Sequence, residues 1–110
     1  MTRGVPLRVA PDYECFPIWL DTESGLDNPD PASIGLSPAL SERLVAWSDA
    51  FDATLVQDDP VRSGFPTPAD EAAFVAAGRA LAVEVAREWG ERGPVTYYDV
   101  STHDDEPVGF

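Results

Sequence analysis

The sequence predicts an α+β fold: a small, largely antiparallel sheet of about three strands with two amphipathic helices packed on one face, in the order β-β-α-α-β. Three observations carry this. Two segments place apolar residues at helical spacing behind a Ser-Pro or Thr-Pro start signal, short β-branched and aromatic runs flank them, and Pro- and Gly-rich breaks separate the pieces.

Val5, Leu7 and Val9 alternate with Pro6, Arg8 and Ala10, the period of a half-buried strand, and Pro6 confines that strand to an edge or its own start. From Tyr13 to Leu20 a second run puts Phe16, Ile18 and Leu20 on one face and Cys15, Pro17 and Trp19 on the other. Pro17 cannot donate to a ladder, so this segment reads as a bulged edge strand. Asp21 to Gly35 is rich in Asp, Ser, Gly, Asn and Pro without helical period, the composition of a long ordered loop.

Ser37 as N-cap and Pro38 at the first helical position open helix one, which the spacing of Leu40, Leu44, Trp47, Phe51 and Leu55 carries to about Leu55. Asp58-Asp59-Pro60 and Ser63-Gly64-Phe65-Pro66 break the chain. Thr67-Pro68 then repeats the start device, and Phe74, Gly78, Leu81, Val85 and Trp89 form the buried stripe of helix two. Asp70 and Glu71 sit at its positive end, Arg87 lies near its negative end, and Gly90 stops it. Val95 to Val100 is a last strand that can pair with the first, residues 101–110 read as a flexible tail, and the whole of 1–110 reads as one domain.

Charge bounds the partners. Twenty Asp and Glu oppose seven basic residues, all arginine, for a net charge of −13, so nucleic acid and anionic membranes are repelled and a basic protein is attracted. Cys15 is the only cysteine, which excludes an intrachain disulfide and suits a reducing, cytoplasmic compartment. No stretch approaches the ~20 apolar residues of a membrane span.

Catalytic sets are missing from the pattern. His103, the only histidine, stands beside Asp104, Asp105 and Glu106 and reads as a solvated residue, leaving no partner for a hydrolytic triad. Glu14 beside Cys15 raises a thiol pKa, so Cys15 reads as a packing residue. Gly78 is isolated within a helix, where close packing accounts for it better than a phosphate loop does. No cofactor and no catalytic residue is expected.

The acidic residues allow two readings. Asp21, Glu23, Asp27 and Asp30 share one loop and could hold a cation, although Gly25 stands fifth from Asp21 where an EF-hand needs its glycine sixth. Asx-turns and capping are the simpler account. Asp49 and Asp52, three apart on helix one and near Asp58 and Asp59, make either a solvated face or a docking edge for a basic protein. Trp47 and Trp89 fall on core stripes. Trp19 and one of Tyr97 and Tyr98 point away from a one-sided core, as a binding hot spot or a covered second face requires.

Asp12 to Trp19, Leu36 to Leu40 with Trp47, Phe51 and Asp52, and Asp59-Pro60 through Phe65 together resemble a family of small acidic bacterial proteins common in actinobacteria. That resemblance spans about Val5 to Tyr98 and implies a common fold without catalytic residues. In general character the chain is also similar to toxin-neutralising immunity proteins, which are compact and acidic. The expectation is therefore a non-enzymatic protein that docks on a basic partner through Trp19, Asp27, Asp30, Asp49, Asp52, Asp58 and Asp59. The alternatives are a metal-binding or enzymatic module built on Asp21 to Asp30, and a housekeeping interaction domain that pairs through an edge strand.

Overall fold

The computed structural model describes residues 4–54 and 64–109. Among them are strands β1 (Leu7–Val9), β2 (Ile18–Thr22) and β3 (Gly25–Asp27), helices α1 (Pro38–Asp52) and α2 (Pro68–Trp89), and strands β4 (Val95–Asp99) and β5 (Asp104–Val108). The strands form one mixed sheet in the order β3-β2-β1-β4-β5, in which β1 and β4 run parallel and every other neighbouring pair is antiparallel.

Both helices start as their sequences dictate. The Ser37 hydroxyl accepts from the Leu40 amide at 3.3 Å and the Thr67 hydroxyl from the Asp70 amide at 3.1 Å, each followed by a proline whose missing N–H costs nothing there. Ser37 also donates its amide and hydroxyl to the Glu88 carboxylate, which ties the start of α1 to the last turn of α2. Gly90, at φ 57°, ends α2.

Strand alternation divides the sheet cleanly. Leu7, Val9, Ile18, Leu20, Val95 and Tyr97 face the helices and join Leu40, Leu44, Trp47, Phe74, Leu81, Val85 and Trp89 in one core. Each fully buried aliphatic or aromatic side chain there contributes about 1.5–3 kcal/mol. Trp47 stacks on Phe74 with ring centroids 4.6 Å apart, and Phe51, Phe65 and Tyr13 extend that aromatic column outward. Arg79 of α2 reaches the buried Asp99 carboxylate at 3.0 Å and Glu106 at 2.9 Å, clamping the helix to β4 and β5.

Three expectations need correction. The sheet has five strands where about three were expected, because β3 is a three-residue arm whose one apolar side chain, Leu26, is exposed, and so leaves no alternation to read. The expected tail over residues 101–110 carries β5, whose Asp-Asp-Glu run is held by β4, by Arg79 and by the Arg8–Asp105 ion pair at 2.8 Å. Of the two places that Pro6 allowed, the strand's own start is the one found: β1 is central, Pro6 precedes its ladder, and the Pro6 carbonyl accepts from the Asp21 amide at 3.1 Å. β2 is likewise interior, since it begins after Pro17 and residues 10–17 form a loop. Helix α1 ends at Asp52, with Ala53 as its C-cap, short of the expected bound at about Leu55, which itself lies outside the described residues. Neither helix is long and apolar enough to cross a membrane.

Candidate partner-binding surfaces

The loop 10–17 is pinned from three directions. Asn28 accepts from the Phe16 amide at 3.0 Å and donates to the Phe16 and Ile18 carbonyls at 2.7 and 2.8 Å. From α1, the Ser48 hydroxyl donates to the Cys15 carbonyl at 3.0 Å, and the Asp52 carboxylate accepts from the Glu14 amide at 2.9 Å. Tyr13 stacks on Phe51 and bonds Thr54 at 3.0 Å. These bonds hold Glu14 at φ 61°, a left-handed conformation costing a non-glycine residue on the order of 1 kcal/mol.

Between this loop and α1 opens a cleft of about 400 Å³, lined by Glu14, Asp49 and Asp52 with Phe16, Pro17 and Val45. Cys15 also lines it, and partial burial first, then Asp12, Asp52 and Glu14, pushes its thiol pKa up. No cation lines the cleft among the described residues. Arg8, Arg43, Arg79 and Arg92 are engaged elsewhere, by Asp105, by Glu84, by Asp99 and Glu106, and by the Ile34 and Glu88 carbonyls.

The second surface is the side of the sheet that faces away from both helices, where Arg8, Trp19, Asp21, Leu26, Thr96 and Tyr98 project. Trp19 is half-buried, and its indole N–H donates to the Ala10 carbonyl at 3.1 Å. The Arg8 guanidinium lies 4.6 Å from the centre of the Tyr98 ring. Tyr98 is thus the outward member of the tyrosine pair, and Tyr97 is fully buried.

Of the expected contact residues, two line the cleft and one stands on the open sheet face. Asp49 and Asp52 come together in the cleft with Glu14. Asp27, opposite Leu20, projects on the helix side of edge strand β3, and Asp30 accepts from the Ala32 amide at 3.0 Å to cap a short 3-10 helix; both flank Asn28, which lines the cleft. Trp19 stands on the opposite side of the sheet. Asp58 and Asp59 lie outside the described residues.

The carboxylates of the Asp21 to Asp30 loop disperse, with Asp21 and Asp27 on opposite sheet faces. Among the described residues no three His, Cys, Asp or Glu gather as metal ligands would. Glu14, Phe16, Asn28 and Leu26 were not among the expected contact residues. Only Glu14, the carboxylate next to Cys15, carried a usable signal in the sequence.

The Serratia CdiI immunity protein-like family model matches residues 6–100. The chain belongs to that family. The matched span of this CdiI-like immunity family runs from β1 through β4 and includes every residue that lines the acidic cleft. It also includes Arg8, Trp19, Leu26 and Tyr98 of the open sheet face, and stops short of β5. No curated protein matches the chain.

Proposed function

We propose that this protein is a non-enzymatic, immunity-type inhibitor that neutralises a protein toxin by docking on a basic part of its surface. Membership of an immunity-protein family supports the inhibitor reading. One observation supports the charge of the partner: Asp49 and Asp52 occupy the last turn of α1, which contains no basic residue.

A helix C-terminus carries partial negative charge, so an aspartate there destabilises by about 0.3–1 kcal/mol. Asp52 recovers part of that cost from the Glu14 amide. Asp49 lines the cleft and is exposed, and its cost is offset once a cationic side chain arrives. The apolar lining of Phe16, Pro17 and Val45 accommodates the aliphatic stem of an arginine or lysine, while Glu14, Asp49 and Asp52 receive its head.

The net charge of −13 steers such a partner from a distance, an effect that weakens as salt shortens the Debye length. The test clones the genes that flank this one in its native genome, selects any whose product kills a sensitive host, and co-expresses that toxin with this chain. Growth rescued by the wild-type chain supports the reading, and undiminished killing at verified expression contradicts it.

A further inference from the structure

We infer that the open face of the sheet is a second contact surface, on which Trp19 and Leu26 anchor an apolar spot of the same toxin that lysine or arginine side chains surround. This rests on the inhibitor reading. Leu26 is 68% exposed, one of two large hydrophobic side chains left open among the described residues, and stands beside the half-buried Trp19 on the adjacent strand. Two hollows of about 350 and 320 Å³ flank the pair formed by Arg8 and Trp19 and give a partner relief to fill.

The anchors are fixed before any partner arrives. The bond to the Ala10 carbonyl holds the Trp19 indole, and Asp105 together with the Tyr98 ring holds Arg8, so docking orders few side chains. Charge then selects the occupant. Arg8 lines both hollows but is paired with Asp105, so Asp12 in one hollow and Asp21 in the other have no ion pair of their own among the described residues. A second copy of this chain would bring the same negative rim and the same net −13, and nucleic acid would be repelled likewise. A cation-rimmed apolar protein surface is the complement.

The test uses the full chain and the purified toxin that the co-expression screen of flanking genes identifies, titrated by calorimetry. The variants are Leu26→Arg and Thr96→Arg on the open face and Asp49→Arg in the cleft, with melting curves recorded for each. The open-face variants should weaken binding by about tenfold or more at unchanged melting temperature. Because Trp47 and Trp89 are buried, the emission of the half-buried Trp19 should shift to the blue as the complex forms.

Full affinity in both open-face variants, with loss confined to Asp49→Arg, overturns the second surface and leaves the inhibitor reading standing. A wild-type chain that neither binds nor protects overturns both.

Discussion

The Tyr97 hydroxyl donates to the Val75 carbonyl 2.9 Å away, across the notch that Gly78 leaves on α2. A Cβ on Gly78 would overlap the Trp47 ring and lie 2.6 Å from that same hydroxyl oxygen. Gly78→Ala would ordinarily favour a helix by about 1 kcal/mol. Here it should instead destabilise the protein by about 1–3 kcal/mol, as overpacking of a dense core does. Urea unfolding measures the difference, and an unchanged or raised midpoint would refute this account of the helix-sheet contact.

Asp99 gives the fold an acid-sensitive point. The Ser101 hydroxyl and amide, with Arg79 behind them, hold its buried carboxyl below the usual carboxylate range. A lowered folded-state pKa means the stabilisation is fully present above the unfolded value, about 4, and is lost as pH falls through the folded value. Melting temperature should therefore drop below about pH 4. Asp99→Asn should start less stable by about 1.5–3 kcal/mol and show a flatter acid limb, which calorimetry from pH 2 to 7 would resolve.

Cys15 should be a poor nucleophile. Its thiol pKa is raised by burial and by Asp12, Asp52 and Glu14, so the thiolate is scarcer than in a free cysteine. Ellman's reagent at pH 8 should react more slowly with the folded protein than with the urea-unfolded chain, and Asp12→Asn should speed the folded reaction. Equal rates in all three samples would contradict the electrostatic account.

Asp49 sets stability against binding. Replacing it with Asn removes a negative charge from the C-terminal turn of α1 and should stabilise the fold by about 0.3–1 kcal/mol. The same change should weaken the grip on a cationic partner. A variant that melts higher and protects less is the expected signature. Lower stability with undiminished protection would remove Asp49 from the interface.

Glu14 and Asp52 test whether the loop is held in readiness. Glu14→Gly relieves the left-handed strain at φ 61° and should leave stability within about 1 kcal/mol of the wild type while removing a cleft carboxylate. Asp52→Ala deletes the acceptor of the Glu14 amide and should loosen the loop, raising hydrogen exchange at Glu14. Unaltered exchange there would show that Asn28 and Ser48 suffice.

Local chemistry explains what the sequence made legible. Both helix starts were readable because Ser37-Pro38 and Thr67-Pro68 act on their own backbone, and the buried stripe from Phe74 to Trp89 follows from period alone. The packing role of Gly78 was also readable, since an isolated glycine in a helix invites a close neighbour. β3 and β5 were hidden because what holds them comes from elsewhere in the fold: hydrogen bonding to β2 for the first, and β4, Arg79 and Arg8 for the second. The cleft was half readable. Asp49 and Asp52 stood three apart on one helix, but the bonds from Asn28 that bring Phe16 to the same cleft join residues with no shared pattern.

Calorimetric titration of this chain into the toxin identified by co-expression with its flanking genes, at about 50 mM and 500 mM salt, tests the inhibitor reading most directly. Tight one-to-one binding at low salt that weakens by about tenfold or more at high salt is the predicted result. Absence of heat at both, or an affinity that ignores salt, would contradict an acidic inhibitor docking on a basic toxin.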